Sequence, residues 1–326
     1  MKGLRAHRLN GPSALNLESF DPPEPGPGQV LISVAAAGLH LADLAASAGE
    51  RLPLPPTPFI PGLEVSGTVA ALGEGVSGLK KGDKVAAFTD WGGLAEQAVA
   101  EAQLCLKLPK GLQPDVAAAL PMAYAGALLA LRHKAGLNGG EMLLVLGAGG
   151  LAGLAAIAVG KMLGATVMAV AAGDARGSAA ADQGADHVID ATATALTDAV
   201  EAFTGGAGSA VVFDPVGGEA SDLALATCGL GARYLVAGFA GGRVGSLNAR
   251  TAFARDVKIL AANTPLTVAA AKPAARSALQ EVLSWAASGK IAPRIGARFK
   301  LDDAKSAIDY VQNRRATGAV LVTMGE

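Results

Sequence analysis

Four glycines fall within seven residues, at 147, 149, 150 and 153, between the apolar runs "MLLVL" and "LAGLAAIAVGKML". The first run is short and rich in strand formers. The second carries apolar residues at helical spacing, so the stretch reads as strand, glycine turn, helix. Such a turn makes an anion site, because the first N–H groups of a helix lack intrahelical partners and carry partial positive charge. Glycine also lets the backbone approach a diphosphate. Gly147-x-Gly149-x-x-Ala152 fits the dinucleotide fingerprint with alanine last, and Gly150 and Gly153 offer a second register. Ala148 and Leu151 complete the stretch expected to line the cofactor. The alternative is a tight helix-on-strand contact with nothing bound.

The end of the next strand, "TVMAVA", bears on which dinucleotide binds. An acidic residue there would bond the ribose hydroxyls of NAD. The strand ends instead at Ala171, with Ala172 and Gly173 after it and Arg176 three residues further on. Small residues leave room for a 2′-phosphate, and an arginine can pair with it. The expected cofactor is therefore NADPH, although Asp174 argues for NADH if its loop turns inward. Arg176 could equally be a solvated first-turn residue.

Several elements must hold this turn. Apolar strands are expected at Met142–Leu146, Thr166–Ala171, His187–Ile189, Ala210–Phe213, Ala232–Ala237 and Val257–Ala261, with helices between them. Strands joined by helical crossovers imply a parallel sheet covered on both faces, a Rossmann-type doubly wound α/β domain. Residues 1 to about 115 read differently, as short strands stopped by proline and glycine clusters such as "DPPEPGPG". A helical stretch comes next, which Pro121 should bend or break. After about residue 262 come a helix in "ARSALQEVLSWAASGKI" and a strand in "IGARFKL". A helix then carries Ala304, Ala307, Ile308 and Val311 on one face, and "GAVLVTM" is a closing strand. The expected division is 1–115 with 262–326 as one domain and 116–261 as the nucleotide-binding domain.

Bulk properties set limits. A formal charge of -1 offers no basic surface for nucleic acid. Two cysteines, Cys105 and Cys228, cannot build a disulfide scaffold and fit a reduced, cytoplasmic setting. "MKGLRAHRLNGP" lacks the apolar core of a signal peptide. The one serious transmembrane candidate, the uncharged run from Met142 to Gly160, is interrupted by the glycine turn, so no membrane partner is expected.

The remaining motifs, in order, are "AAAGLHLADLAASAGE", "PFIPGLEVSGTVAALGEGVSGLKKGDKVAA", "WGGLAEQAVA", "GADHVID", "FDPVGG", "YLVAGFAGG" and "RRATGAVLV". With the glycine turn they resemble, nearly end to end, the zinc-free quinone oxidoreductases of the medium-chain dehydrogenase/reductase superfamily. The resemblance implies a GroES-like β-barrel catalytic domain beside the Rossmann domain, with NADPH in the cleft between them, a small-molecule substrate and a homodimer formed through an edge strand. Its A-x-G-G-V-G turn falls on Ala148–Gly153, with Leu151 in place of the second paired glycine. Arg176 stands where a basic residue faces the 2′-phosphate. Ala191 replaces a tyrosine, and Gly126 replaces a linker-helix threonine near the nicotinamide. Val216 and Gly217 are expected to flank the cofactor, and Gly238, Phe239 and Ala240 to line it. Arg315 resembles a C-terminal basic residue that reaches its phosphate.

Zinc-dependent relatives surround their metal with cysteine, histidine and a third ligand. Their G-H-E segment reads Gly62-Leu63-Glu64 here, and leucine cannot ligate. One histidine, His40, is not a metal site, so none is expected. Without a Lewis acid, reduction of an activated acceptor is easier than alcohol oxidation. The expected function is NADPH-dependent reduction of quinones or related α,β-unsaturated carbonyls, with His40 as the candidate proton donor. The alternative for His40 is a hydrogen bond to ribose or backbone. Asp43 is expected to hold its loop through a backbone N–H, and Tyr124 to be a core aromatic. Two other functions stay open: reduction of an enoyl thioester such as a short acyl-CoA, and a nucleotide-binding structural or sensing role with little turnover.

Overall fold

A computed structural model describes residues 1–51, 53–192 and 195–325. The chain forms two compact units, Met1–Ala125 with Ala271–Glu326, and Gly126–Ala270. These borders lie some ten residues beyond the expected ones at 115 and 261, for reasons visible in the packing. Helix Lys272–Ala287 is anchored in the first unit by Lys272 Nζ on Glu101 Oε1 at 2.7 Å and by Arg276 Nη1 on Gln103 O at 2.9 Å. The Met122 N–H donates to Glu64 in the same unit.

Among the described residues of the first unit, a seven-stranded sheet runs 295–300, 319–323, 29–38, 64–72, 84–88 and 105–107, with 97–101 also paired to 29–38. Every pairing is antiparallel except the parallel pair 295–300 with 319–323. Its core includes Val30, Ile32, Val65, Val85, Leu94 and Val322. Ala304, Ala307, Ile308 and Val311 of helix Ala304–Gln312 are all buried. Burying Ile308 and Val311 contributes about 1.5–3 kcal/mol each before entropy is counted.

The second unit holds six parallel strands in the order 187–190, 166–171, 142–145, 209–214, 228–236 and 258–261. The order reverses between 142–145 and 209–214, so the loops leaving those two strands flank the switch point where such sheets take ligands. Helix Leu151–Met162 lies close on the sheet: a Cβ at Gly160 would stand 2.6 Å from Leu143 Cδ2. The run from Met142 is thus divided into strand and helix. Among the described residues the one helix long and apolar enough to cross a membrane is a different one, Pro114–Lys134, and most of it is buried within the protein. Its α-helical first turn, Pro114–Ala117, gives way to wide π turns at Leu120–Ala125 and Leu129–Lys134. The first includes Pro121, which lacks the N–H that a regular turn would use.

Candidate active site

In the second unit the chain leaves strand Met142–Val145, bends at Gly147 and enters the helix at Leu151. Gly147 has φ 57°, a conformation that costs glycine little, and a Cβ there would stand 2.7 Å from Val216 Cγ2. Gly150 is the N-cap and has no side chain to bond the first helical N–H groups. A Cβ at Gly153 would run into Gly147 O and stand 2.7 Å from Ala148 Cα, whereas one at Gly150 would meet nothing nearer than 3.4 Å. The glycine that lets the start of the helix close onto the Gly147–Ala148 bend is therefore Gly153. Of the two registers open in the sequence, Gly150-x-x-Gly153 has the geometry, and Ala152 does not carry that role. Gly149 is needed for another reason: the stem of Arg176 lies on it, and a Cβ there would stand 2.6 Å from Arg176 Cγ. This brings Arg176, half-buried in the first turn of helix Asp174–Asp182, directly onto the glycine turn.

Neighbouring loops complete the rim. Gly173 caps helix Asp174–Asp182 at φ 79°, and Ala171 O accepts the Ala191 N–H. The carboxylate of Asp190 is engaged by Thr192 N–H and Oγ1–H, with Gly173 N–H at 3.4 Å. These bonds hold Asp190 below the usual carboxylate range, the Thr192 amide foremost. The loop after strand Ser209–Asp214 is set by Asp214, a buried carboxylate that the sequence did not single out. Its Oδ1 accepts the Val216 and Gly217 N–H groups at 2.8 and 3.0 Å, and its Oδ2 accepts the Ser221 and Tyr234 hydroxyls at 2.5 and 2.8 Å. Val216 O and Pro215 O in turn accept Gly241 and Ala240 N–H, which ties the Gly238–Ala240 loop to the same corner. Phe239 lies over Gly217 and stays half-exposed. Gly126 leaves a space that Thr264 fills, with its Oγ1 2.6 Å from where a Cβ would be. A threonine cannot stand at 126 while Thr264 occupies that space. Arg315 belongs to the first unit, where it is exposed and 3.4 Å from Asp309.

The first unit holds the second cluster. His40 lies two residues past strand Gln29–Gly38 and caps helix Leu41–Ser47, and its Nε2 lies 2.6 Å from Glu64 Oε1. The imidazole is 16% exposed and the Glu64 side chain not at all. The second Glu64 oxygen accepts the Met122 N–H at 2.7 Å. Asp43, fully buried, accepts His40 N–H and Gly62 N–H at 2.8 Å each, the loop-holding role expected of it. Burial works against charge on His40, but Glu64 outweighs it with help from Asp43, and the imidazole titrates above its ordinary value. Burial pushes the Asp43 carboxyl up. Tyr124 is a buried core aromatic whose hydroxyl burial drives well above its ordinary range. His7 pairs with Glu18 at the surface, and His187 stacks on Phe203. Sequence reading named His40 without its partner, because Glu64 lies 24 residues away on another strand and only pairing joins them.

The donor set does not suit zinc. Leu63 offers hydrocarbon, the Nε2 of His40 is taken by Glu64, and among the described residues no three His, Cys, Asp or Glu side chains are placed to hold a metal ion.

Residues 26–110 match the family described as alcohol dehydrogenase GroES-like domain, and residues 183–322 match zinc-binding dehydrogenase. Quinone oxidoreductase-like protein 2 of Mus musculus is 31% identical over 95% of this chain and 89% of its own length. A quinone oxidoreductase of Pseudomonas syringae superposes with TM-score 0.91 at 28% identity, covering 99% of both chains. A mycobacterial protein solved with NADPH does so with TM-score 0.91 at 27% identity, covering 99% of this chain and all of its own. The GroES-like sheet, the parallel dinucleotide-type sheet and these end-to-end relatives together establish that the chain belongs to the quinone oxidoreductase family of the medium-chain dehydrogenase/reductase superfamily.

Proposed function

We propose that the protein is an NADPH-dependent reductase of quinones or related α,β-unsaturated carbonyls that works without zinc. The observation that carries this reading is the Gly147–Gly153 turn with Arg176 laid across it. The uncapped amides at the helix start fit a diphosphate, and the guanidinium fits a 2′-phosphate. The relative solved with NADPH supports the same cofactor. When bound, the dinucleotide supplies a hydride. The chain's own contribution is binding and proton supply. Asp214 keeps Val216 against Gly147, which holds the turn open to the diphosphate. Burial works against charge on the His40 imidazole, but the Glu64 carboxylate favours its charged form and raises its pKa above the ordinary value. With Nε2 engaged by Glu64, His40 is the candidate source of the proton given to the oxygen of a reduced acceptor.

Among the described residues strand Lys258–Ala261 pairs on one side only, Ile259 on it is 45% exposed, and Phe253 and Leu230 are also highly exposed. An apolar sheet edge of this kind supports a homodimer. Two buried, unpaired cysteines fit a reducing cytoplasm. The test is a panel: purified protein and NADPH are mixed in turn with a quinone, an enone and an enoyl-CoA, while absorbance of the reduced nicotinamide is followed. Oxidation by the quinone or enone is expected. A marked preference for the thioester, or tight binding with no oxidation in any mixture, would overturn the reading.

A further inference from the structure

Arg51 follows helix Leu41–Ser47 and lies with its guanidinium carbon 4.4 Å from the centre of the Trp91 ring. The residue is half-buried, and its Nη1 is shielded from solvent with no hydrogen-bond partner among the described residues. Asp43 and Asp90 act on it only through space, and Asp43 has already given both oxygens to the His40 and Gly62 amides. The platform beneath the guanidinium is firm. Trp91 meets buried Phe59 edge-on at 5.8 Å. Its loop is tied to the Gly62 segment by Gly92 N–H on Ile60 O, Gly93 N–H on Gly62 O and Thr89 Oγ1–H on Gly62 O. Asp43 binds the Gly62 amide from the other side, so the loops of Trp91 and His40 share one hydrogen-bonded frame, on which Arg51 is stacked through the Trp91 ring.

A stacked guanidinium gains from the aromatic face, but a shielded N–H of a cation left without an acceptor is costly. A planar oxyanion removes that cost, because two guanidinium N–H groups match the two oxygens of a carboxylate. The geometry points to Arg51 as a specificity residue that selects acceptors bearing a carboxylate beside the reducible carbonyl. Lys80 and Lys81 lie in the turn before strand Lys84–Phe88, where the Lys80 amide donates to Asp83. The inference rests on the reductase reading and narrows its substrate class.

The test uses a 4-oxo-enoic acid, its methyl ester and a neutral quinone, each with NADPH. The wild type is expected to favour the acid over the ester in kcat/KM by about tenfold or more, the worth of one charged hydrogen bond. Arg51→Gln should erase that ratio, and Arg51→Lys, with charge but no fork, should keep part of it. An acid-to-ester ratio equal in wild type and Arg51→Gln overturns the proposal. Oxidation by the quinone without any acid preference removes the proposal while leaving the reductase reading standing. If no acceptor is reduced, that reading fails, and binding decides the proposal by itself. In a Trp285→Phe background Trp91 is the remaining tryptophan. Its emission should then change saturably with the acid and lose that response in Arg51→Gln. An unchanged response in the variant, or none in the parent, overturns it. Preference for a CoA thioester over the acid would place phosphate, rather than carboxylate, at Arg51.

Discussion

Replacing Glu64 with glutamine removes one charge and little else. The Glu64 oxygen lies 2.6 Å from His40 Nε2 in a side chain wholly out of solvent, so salt and water screen the pair weakly. An opposite charge at this range moves a pKa by about 1–3 units, each worth about 1.4 kcal/mol. In the wild type that attraction, aided by Asp43, exceeds the burial cost and holds His40 above its usual value. In Glu64→Gln burial is left weakly opposed, and His40 should titrate lower than in the wild type. The amide oxygen of glutamine can still accept the Met122 N–H, so the local frame should persist. If charged His40 is the proton donor, kcat/KM falls as pH rises through its folded pKa, and in the variant that limb moves to lower pH by the same amount. Stability follows the same sign. A raised histidine pKa stabilises fully below the ordinary value near 6.5 and loses that contribution as pH rises through the folded value. The Tm advantage of wild type over Glu64→Gln should therefore narrow with rising pH. Superimposable pH profiles, or a limb that moves upward, would refute the reasoning.

The turn and its supports lead to further expected outcomes. Gly153→Ala should cost about 1–3 kcal/mol and weaken NADPH binding, because its Cβ runs into Gly147 O, while Gly150→Ala, with 3.4 Å of room, should cost clearly less by thermal melting. Arg176→Ala should reduce the preference for NADPH over NADH by about tenfold or more in paired titrations, the worth of a charged hydrogen bond to the 2′-phosphate. Asp214→Ala strands two amides and two hydroxyls and should cost about 3 kcal/mol or more in denaturant unfolding, against about 1 for Tyr234→Phe.

Periodicity and turn residues made most of the fold legible. The six parallel strands and the glycine turn stand where apolar runs and glycines put them, with ends displaced by a few residues. Strand Cys228–Val236 begins before the expected Ala232: Gly229 and Gly231 interrupt the apolar signal, but Cys228 already pairs with Ser209, ahead of a register shift that resumes the ladder at Arg233. The unit borders were less visible. Residues 116–125 look continuous with the helix through Lys134, and ties such as the Met122 amide on Glu64, distant in sequence, show which unit holds them. The register of the turn was also hidden, since a fingerprint counts glycines but not which Cβ would strike Gly147 O. Partners distant in sequence were beyond reach: Glu64 for His40, Thr264 for the space at Gly126, and Trp91 beneath Arg51.

The central claim is that the Gly147–Gly153 turn holds a dinucleotide with Arg176 at its ribose phosphate. A crystal structure of the protein grown with NADPH tests it directly. The account predicts the diphosphate against the amides that open helix Leu151–Met162 and the 2′-phosphate within ion-pair distance of Arg176. A nucleotide bound elsewhere, or a turn left empty at saturating NADPH, would contradict it.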